Sequence, residues 1–332
     1  MSNLAGKRIL VTGGSGFIPS HVVRRLVGLG AEVIVTTKYN SIVDNVRIVD
    51  LWDRVRVIEA DLRNYDSLMQ VREIKPQIVI HMAAYNHVGD SFLHVNEAID
   101  SNMKGTANLL NVYDGYEKFI YTSTSEVYGG QTDVPFVESM TPNPISPYSI
   151  GKYGGEQYAR MSMEQMNKPI SIIRPFNAFG PYQSIRAVIA ELILKCLAGE
   201  SISLTEGKQT REFNFVENLV DGFILACEKD SAIGQTVNLG CAHEISIRDL
   251  VTLIHVKTDS ESELKIGALP TRPTEIWRMY ADAGRAETVL GWKPAISFEQ
   301  GLERTIAWYR EFLDQFDAKN SGLAKLATFN LR

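Results

Sequence analysis

Arg8 to Thr12 is a short apolar run with β-branched residues, and it leads directly into Gly13-Gly14-Ser15-Gly16 and an amphipathic segment ending near Leu29. Strand, glycine loop and helix in that order constrain the chain more than any other feature. The same rhythm then repeats. Glu32 to Thr37, Val55 to Glu59, Gln77 to His81, Lys118 to Ser123 and Ile170 to Arg174 read as further buried strands, with helical stretches between them. Continuous apolar strands alternating with helices predict an α/β fold, a doubly wound parallel sheet covered on both faces.

After Arg174-Pro175 the rhythm changes. Helices are expected around Ala187 to Ala198 and Val216 to Glu228, with short strands near Ser203 and Val237, and Pro270, Pro273 and Pro294 punctuate the last third. This reads as a smaller, discontinuous C-terminal lobe set over the carboxyl edge of the sheet, where ligands of open parallel sheets bind. The expected division is residues 1–177 as a Rossmann-type dinucleotide-binding domain, with 212–240 returning to it. Residues 178–211 and 241–316 would form the substrate lobe, and 317–332 a polar tail.

Composition excludes several classes. A net charge of −5 offers no basic field for nucleic acid. No apolar run is long enough to span a bilayer, and Met1 to Lys7 leads into the first strand without a signal-peptide pattern. Cys196, Cys227 and Cys241 have neither metal nor CxxC spacing, and the six histidines form no ligand pattern. Buried, reduced thiols, no metal and a cytoplasmic location are therefore expected, with no nucleic-acid or membrane partner.

The glycine loop places backbone amides at a helix N-terminus, which suits a pyrophosphate. Pro19 stands where a third glycine is usual, and a first helical turn tolerates proline because its missing N–H has no partner there anyway. The second strand ends Val35-Thr36-Thr37-Lys38-Tyr39-Asn40-Ser41, with no carboxylate to grip ribose hydroxyls. Lys38 and the hydroxyls of Thr36, Thr37 and Ser41 suit a 2′-phosphate better, which favours NADP over NAD. Asp61, after the third strand, either accepts from the adenine amine or caps the following helix.

Tyr148 and Lys152 are four apart, so on a helix they share one face. An ammonium near a phenol favours the phenolate, so the pair is expected to be poised to take a proton from an alcohol as hydride leaves the same carbon. Thr124 can hold that hydroxyl. Glu126 adds a carboxylate able to take a proton from a carbon next to a ketone, which goes beyond simple redox chemistry.

Together these residues resemble the extended short-chain dehydrogenase/reductase family of nucleotide-sugar enzymes, from about Lys7 to Tyr309. The resemblance rests on Thr12-Gly13-Gly14-Ser15-Gly16-Phe17-Ile18, His81-Met82-Ala83-Ala84, Asn102-Met103-Lys104-Gly105-Thr106, Thr124-Ser125-Glu126-Val127-Tyr128-Gly129, Ser146-Pro147-Tyr148 with Lys152, and Arg174-Pro175-Phe176-Asn177. Gly180-Pro181, Thr210-Arg211-Glu212-Phe213 and Leu290-Gly291-Trp292 extend it. Within the family, Thr-Ser-Glu is similar to GDP-mannose 4,6-dehydratases and UDP-glucuronate decarboxylases, whereas other 4,6-dehydratases carry Asp where Ser125 stands. Lys38-Tyr39-Asn40-Ser41, Gly180 to Ile189 and Arg272 to Ile276 resemble UDP-N-acetylglucosamine 4,6-dehydratases of the legionaminic acid type. Pro19 and Tyr85 to Asp90 depart from that group.

The resemblance implies Thr124, Tyr148 and Lys152 as a catalytic triad, assisted by Ser125 and Glu126. Around a tightly bound, regenerated dinucleotide it implies Gly13, Gly16, Phe17, Ile18, Asp61, Leu62, Ala83, Ala84, Asn102, Tyr148, Lys152 and Phe176, to which the second-strand end adds Thr37, Lys38, Asn40 and Ser41. For the nucleotide-diphosphate sugar it implies Tyr85, His87, Asn177, Arg186, Ala187, Val188, Arg211, Arg272 and Glu275. The expected reaction is 4,6-dehydration to a 4-keto-6-deoxy sugar. Decarboxylation of a nucleotide uronic acid, with Arg186 or Arg278 receiving the carboxylate, remains an alternative. So do 4-epimerisation and C4 oxidation, and a non-catalytic binding role is a further alternative that the triad disfavours. The helices around His94 to Tyr113 and Pro147 to Met166 carry apolar residues on more than one face, and the resemblance implies a homodimer through them.

Overall fold

The computed structural model describes residues 2–40, 44–271 and 275–315. The first half alternates β1 (Arg8–Thr12), α1 (Phe17–Gly28), β2 (Glu32–Thr37), β3 (Val55–Glu59), α2 (Met69–Ile74), β4 (Ile78–His81), α3 (Val95–Ile99), α4 (Gly105–Val112), β5 (Lys118–Thr122), α5 (Pro147–Met166) and β6 (Ile170–Pro175). The second half adds β7 (Ala178–Phe179), α6 (Val188–Ala198), β8 (Ile202–Ser203), β9 (Thr210–Glu212), β10 (Asn214–Phe215), α7 (Val216–Glu228), β11 (Thr236–Leu239), β12 (Glu244–Ser246), α8 (Ile247–Lys257), β13 (Leu264–Lys265), α9 (Gly284–Leu290) and α10 (Phe298–Gln315).

Seven strands form one sheet in the order β11-β6-β5-β4-β1-β2-β3, every pair parallel. All residues of β4 and β5 are buried, which is why these segments read as unbroken apolar runs rather than alternating ones. On one face Val22, Val23 and Leu26 of α1 pack with Leu219 and Phe223 of α7 and with Trp292. On the other, Leu109 and Leu110 of α4 and Ala159 of α5 meet Phe119 and Tyr121. Each such fully buried side chain contributes about 1.5–3 kcal/mol.

A π-helical turn, Asp100–Lys104, joins α3 to α4. The long helix α5 lies hard against it. A Cβ at Gly155 would come within 2.5 Å of the Asn102 carbonyl and 2.6 Å of the Tyr121 hydroxyl. Only glycine permits that approach, and the approach fixes the height of α5 over the sheet. A capping box starts the helix: Ser146 Oγ accepts from the Ser149 amide at 3.1 Å, Ser149 Oγ accepts from the Ser146 amide at 3.0 Å, and Pro147 takes the first helical position. Tyr148 therefore sits at a fully specified helix start.

The smaller lobe has its own core, in which Ile189 and Ile193 of α6, Leu250 and Ile254 of α8 and Leu302 and Ile306 of α10 surround Phe179 and Phe215. It is tied to the carboxyl edge of the sheet by His21 Nε2 on the Pro181 carbonyl at 3.0 Å and by Arg47 Nε on the Tyr182 carbonyl at 2.8 Å. Residues 317–332, read from sequence as a tail, lie outside the described residues.

Candidate active site

Between β1 and β4 the chain reverses its direction of winding, and at the carboxyl ends of these strands a cavity of about 570 Å³ opens. Its floor is the glycine loop. Gly13 has φ +67°, and a Cβ there would meet the Ala83 Cα at 2.9 Å, so the loop and the strand-end Ala83 close on each other only because the residue is glycine. Thr12 Oγ1 accepts from the amides of Met82 and Ala83, both at 3.0 Å, and lies 2.8 Å from His81 Nδ1. His81 Nε2 lies 3.0 Å from Thr106 Oγ1, which donates to the Asn102 carbonyl. Burial, with the nearby Lys152 charge, lowers the His81 imidazole to about 3, so this histidine is a neutral strut under the cavity.

Beyond the glycine loop the cavity reaches Thr124, Ser125, Glu126, Tyr148 and Lys152, which all line it. Thr124 follows β5 and caps a single 3-10 turn, its hydroxyl accepting from the Glu126 amide at 3.2 Å. The same hydroxyl bonds the Tyr148 phenol. Thr124 thus holds the backbone of one acid and the side chain of the tyrosine. Burial pushes the phenol up to about 12; the Thr124 bond works the other way, and the Glu126 charge adds to the rise. Burial likewise raises the Glu126 carboxyl, with Arg211 drawing it back.

Here the structure departs from the sequence expectation. The Lys152 ammonium donates to the Thr122 carbonyl and lies 4.7 Å from the Tyr121 ring centroid. Burial lowers it to about 7 against the pull of Glu156. Tyr148 and Lys152 share a helix face, but dehydration of the cleft floor, not the ammonium, dominates the phenol, so its acidity is weakened rather than enhanced. Ser125 is buried, with its Oγ 3.8 Å from the Met279 thioether.

Below this floor lies a buried ion network. Arg174 Nη2 and Nε bond the two oxygens of Glu156 at 2.6 and 3.1 Å, and Ser123 Oγ donates to Glu156 Oε2 at 2.6 Å. Arg174 Nη1 donates to the Tyr128 hydroxyl at 2.8 Å. Burial works to raise the Glu156 carboxyl, but Arg174 outweighs it and the net shift is downward.

The structure brings together most of the residues picked out by sequence. Gly13, Gly16, Phe17, Ile18, Thr37, Lys38, Asp61, Leu62, Ala83, Ala84, Phe176, Tyr85 and Asn177 line the cavity. Others fall outside the lining. Asn102 is buried and clamps the Tyr85 backbone, Oδ1 accepting from its amide at 2.8 Å and Nδ2 donating to its carbonyl at 3.0 Å. Asn40 bonds Glu59 through its backbone amide, and His87 faces Asp90. Arg186 also pairs with Asp90, while Ala187 caps the start of α6 and Val188 is its first residue. Arg211 pairs with Glu275 at 2.7 Å and donates to the Thr210 and Ile276 carbonyls. Arg278, the other cation considered for a carboxylate, is bonded to Glu244, Nε to Oε1 at 3.1 Å. Ser41 and Arg272 lie outside the described residues.

The cavity also contains residues the sequence did not single out, chiefly Arg63, Glu97 and Ser101, while Asn86 and Val88 come from the Tyr85 to Asp90 segment that the sequence placed at the sugar pocket. Arg63 stands two residues after Asp61, and a basic residue just past the β3 end was a usable signal. Nothing local marks Glu97, which arrives from α3. The cavity nevertheless fits an adenine dinucleotide. It runs from the glycine loop to Tyr148, and Thr37 Oγ1 at the β2 end is buried without a hydrogen-bond partner. No group of His, Cys, Asp and Glu able to hold a metal occurs among the described residues, and no described helix is long and apolar enough to cross a membrane.

The family model for GDP-mannose 4,6 dehydratase matches residues 10–305. The dTDP-D-glucose 4,6-dehydratase of Mus musculus is 33% identical over 323 residues, covering 92% of this chain and 89% of the relative. Among solved structures, the dTDP-glucose 4,6-dehydratase of Streptomyces venezuelae with NAD bound superposes with a TM-score of 0.84 at 29% identity, covering 93% of this chain and 99% of that one. The UDP-glucose 4-epimerase of Thermotoga maritima with UDP-glucose gives 0.85 at 29%, covering 92% and 99%.

Proposed function

The chain belongs to the GDP-mannose 4,6-dehydratase family of extended short-chain dehydrogenases/reductases, and from that premise we propose that it is a nicotinamide-dependent nucleotide-sugar 4,6-dehydratase. One observation carries the reading beyond plain redox chemistry. Glu126 and Tyr148 line the same cavity, and the Glu126 charge is felt by the Tyr148 phenol. A base for a carbon acid and a base for an alcohol thus face one small volume, as removal of protons from neighbouring sugar positions requires.

The bound dinucleotide supplies an acceptor for hydride from the sugar C4 and later a donor to C6. The protein's part is proton handling. Thr124 and Tyr148 receive the C4 hydroxyl, and Tyr148 takes its proton. Tyr148 enters this step as the phenolate and leaves it as the neutral phenol, and Lys152, when protonated, offsets the phenolate charge before the transfer. The C4 ketone acidifies the C5 hydrogen, which Glu126 removes. Water leaves C6 with a proton from Glu126 or one relayed through Ser125. Burial raises the Glu126 carboxyl, which suits a group that must hold a proton between these two steps. Asn177, on the cavity wall, and Arg211, at its flank, are assigned to the sugar and the diphosphate.

Glu126→Gln tests the assignment. The variant is expected to oxidise the sugar and stall, with the near-ultraviolet absorbance of reduced nicotinamide building up on mixing. Full turnover to a product lighter by one water would remove Glu126 from the mechanism.

The finer cofactor reading is NADP over NAD, supported by Lys38 and Arg63 at the adenosine end and by the lack of a carboxylate at the carboxyl end of β2, which closes on Thr36 and Thr37. Equal affinity of the cofactor-free protein for both dinucleotides would refute it. A homodimer is the expected assembly. Phe92, Leu93, Val95, Met103, Ile150 and Met166 are exposed on the α3–α4 and α5 side. A monomeric mass at micromolar concentration would count against it.

A further inference from the structure

We infer that Glu97 sets how strongly this chain selects a 2′-phosphorylated adenine dinucleotide, by occupying the place between Lys38 and Arg63 that the phosphate would take. The inference rests on the reading of the cavity as a dinucleotide site.

Lys38 follows β2, Asp61 and Arg63 follow β3, and Glu97 reaches in from α3; all four line the cavity. Glu97 Oε1 lies 3.3 Å from Lys38 Nζ and 3.2 Å from Arg63 Nη1. One anionic oxygen bridging two cations is the arrangement a phosphate oxygen would make. The remaining nitrogens of Arg63 are committed to Asp61, Nε at 3.0 Å and Nη2 at 2.6 Å, so Nη1 is the arm that reaches the shared anion. Thr37, just before Lys38, offers its unpartnered hydroxyl at the same strand end.

Charge decides which ribose the corner favours. Two cations face two carboxylates, so the corner as built is neutral. A ribose 2′-hydroxyl donating to Glu97 leaves that balance intact. A 2′-phosphate, carrying about −1.5 to −2 by analogy with other phosphate monoesters, must displace Glu97 from both cations and then sit near it and Asp61. Without the Glu97 charge the corner is net positive. Lys38, Arg63 and Glu97 are 30–43% exposed, so their pairing is readily exchanged for another anion. Glu97 is thus the carboxylate that a β2 end lacking Asp or Glu leaves unprovided, supplied from a distant element and holding the phosphate preference down.

The test is binding rather than turnover. Cofactor-free wild-type protein and Glu97→Gln are titrated with NADPH and NADH by fluorescence, and with adenosine 2′,5′-bisphosphate and 5′-AMP by calorimetry. The ratio of phosphorylated to unphosphorylated affinity is expected to rise at least about tenfold in Glu97→Gln and to fall in Lys38→Gln and Arg63→Gln. A ratio that moves less than about twofold in Glu97→Gln, or equal gains for both ligands, would overturn the inference. If the wild type binds neither dinucleotide, the cofactor reading of the cavity falls first, and this inference with it.

Discussion

Arg186 grips Asp90 with both arms of its guanidinium, Nη1 to Oδ2 at 2.8 Å and Nη2 to Oδ1 at 3.0 Å. The pair joins the loop after β4 to the loop before α6, so it spans the side of the cleft where the lobe meets the sheet. With its fork filled by an aspartate, Arg186 receives a substrate carboxylate only by giving up that pair. Arg278 is committed to Glu244 in the same way. The decarboxylase alternative therefore has to break one of these pairs to seat a carboxylate.

Nucleotide uronates should accordingly be left without loss of carbon dioxide. Product mass spectrometry on a panel of nucleotide sugars and uronates checks this, and decarboxylation that disappears in Arg186→Ala would reverse the conclusion. The pair is exposed, so Arg186→Ala is expected to change the melting temperature little.

Lys152 predicts a pH dependence of stability. Its folded-state value of about 7 lies below the ordinary 10.5, so between these values the unfolded chain binds more protons than the folded one. Stability contributed through this group therefore rises with pH across that window, by at most about 1.4 kcal/mol per pH unit. Above pH 10 the raised Tyr148 phenol acts with the opposite sign, because the unfolded chain loses that proton first. Urea midpoints measured from pH 7 to pH 9.5 should climb for the wild type and flatten in Lys152→Met. Parallel curves for the two proteins would mean that Lys152 is not the titrating group.

Glu156→Gln should destabilise strongly. Glu156 and Arg174 are both fully buried, and removing one charge leaves the other uncompensated, which costs about 3–5 kcal/mol. Denaturant unfolding reads this directly. Loss of the Glu156 charge also removes an upward pull on Lys152, so its folded-state value falls further and the pH dependence above should begin at lower pH. A change below about 1 kcal/mol would show that the pair is open to water.

The sheet was legible because its central strands are buried on both faces and leave unbroken apolar runs, while the edge strand Val55–Glu59 mixes buried and exposed residues; Arg8–Thr12 and Val55–Glu59 fall where the sequence put them. The floor of the site was legible for a related reason. The glycine loop, Thr124 to Glu126 and the Tyr148–Lys152 spacing are local, and a loop or one helix turn fixes their relative geometry. His87 and Arg186 were harder to read because a polar residue on a loop has no period, and its partner is chosen by whatever packs opposite. Glu97 lies 59 residues from Lys38, and no local pattern links them.

The sequence by itself determined the order of strands and helices, the glycine turn and the presence of a tyrosine, a lysine and a glutamate at the sheet's carboxyl edge, because hydrophobic periodicity and backbone sterics act over a few residues. Only the tertiary structure decided the electrostatics of that edge. Burial and long-range pairing turned Lys152 toward a backbone carbonyl, filled the Arg186 fork with Asp90 and set Glu97 between two cations. Charges respond to everything within several ångströms, and that neighbourhood exists only once the chain has folded.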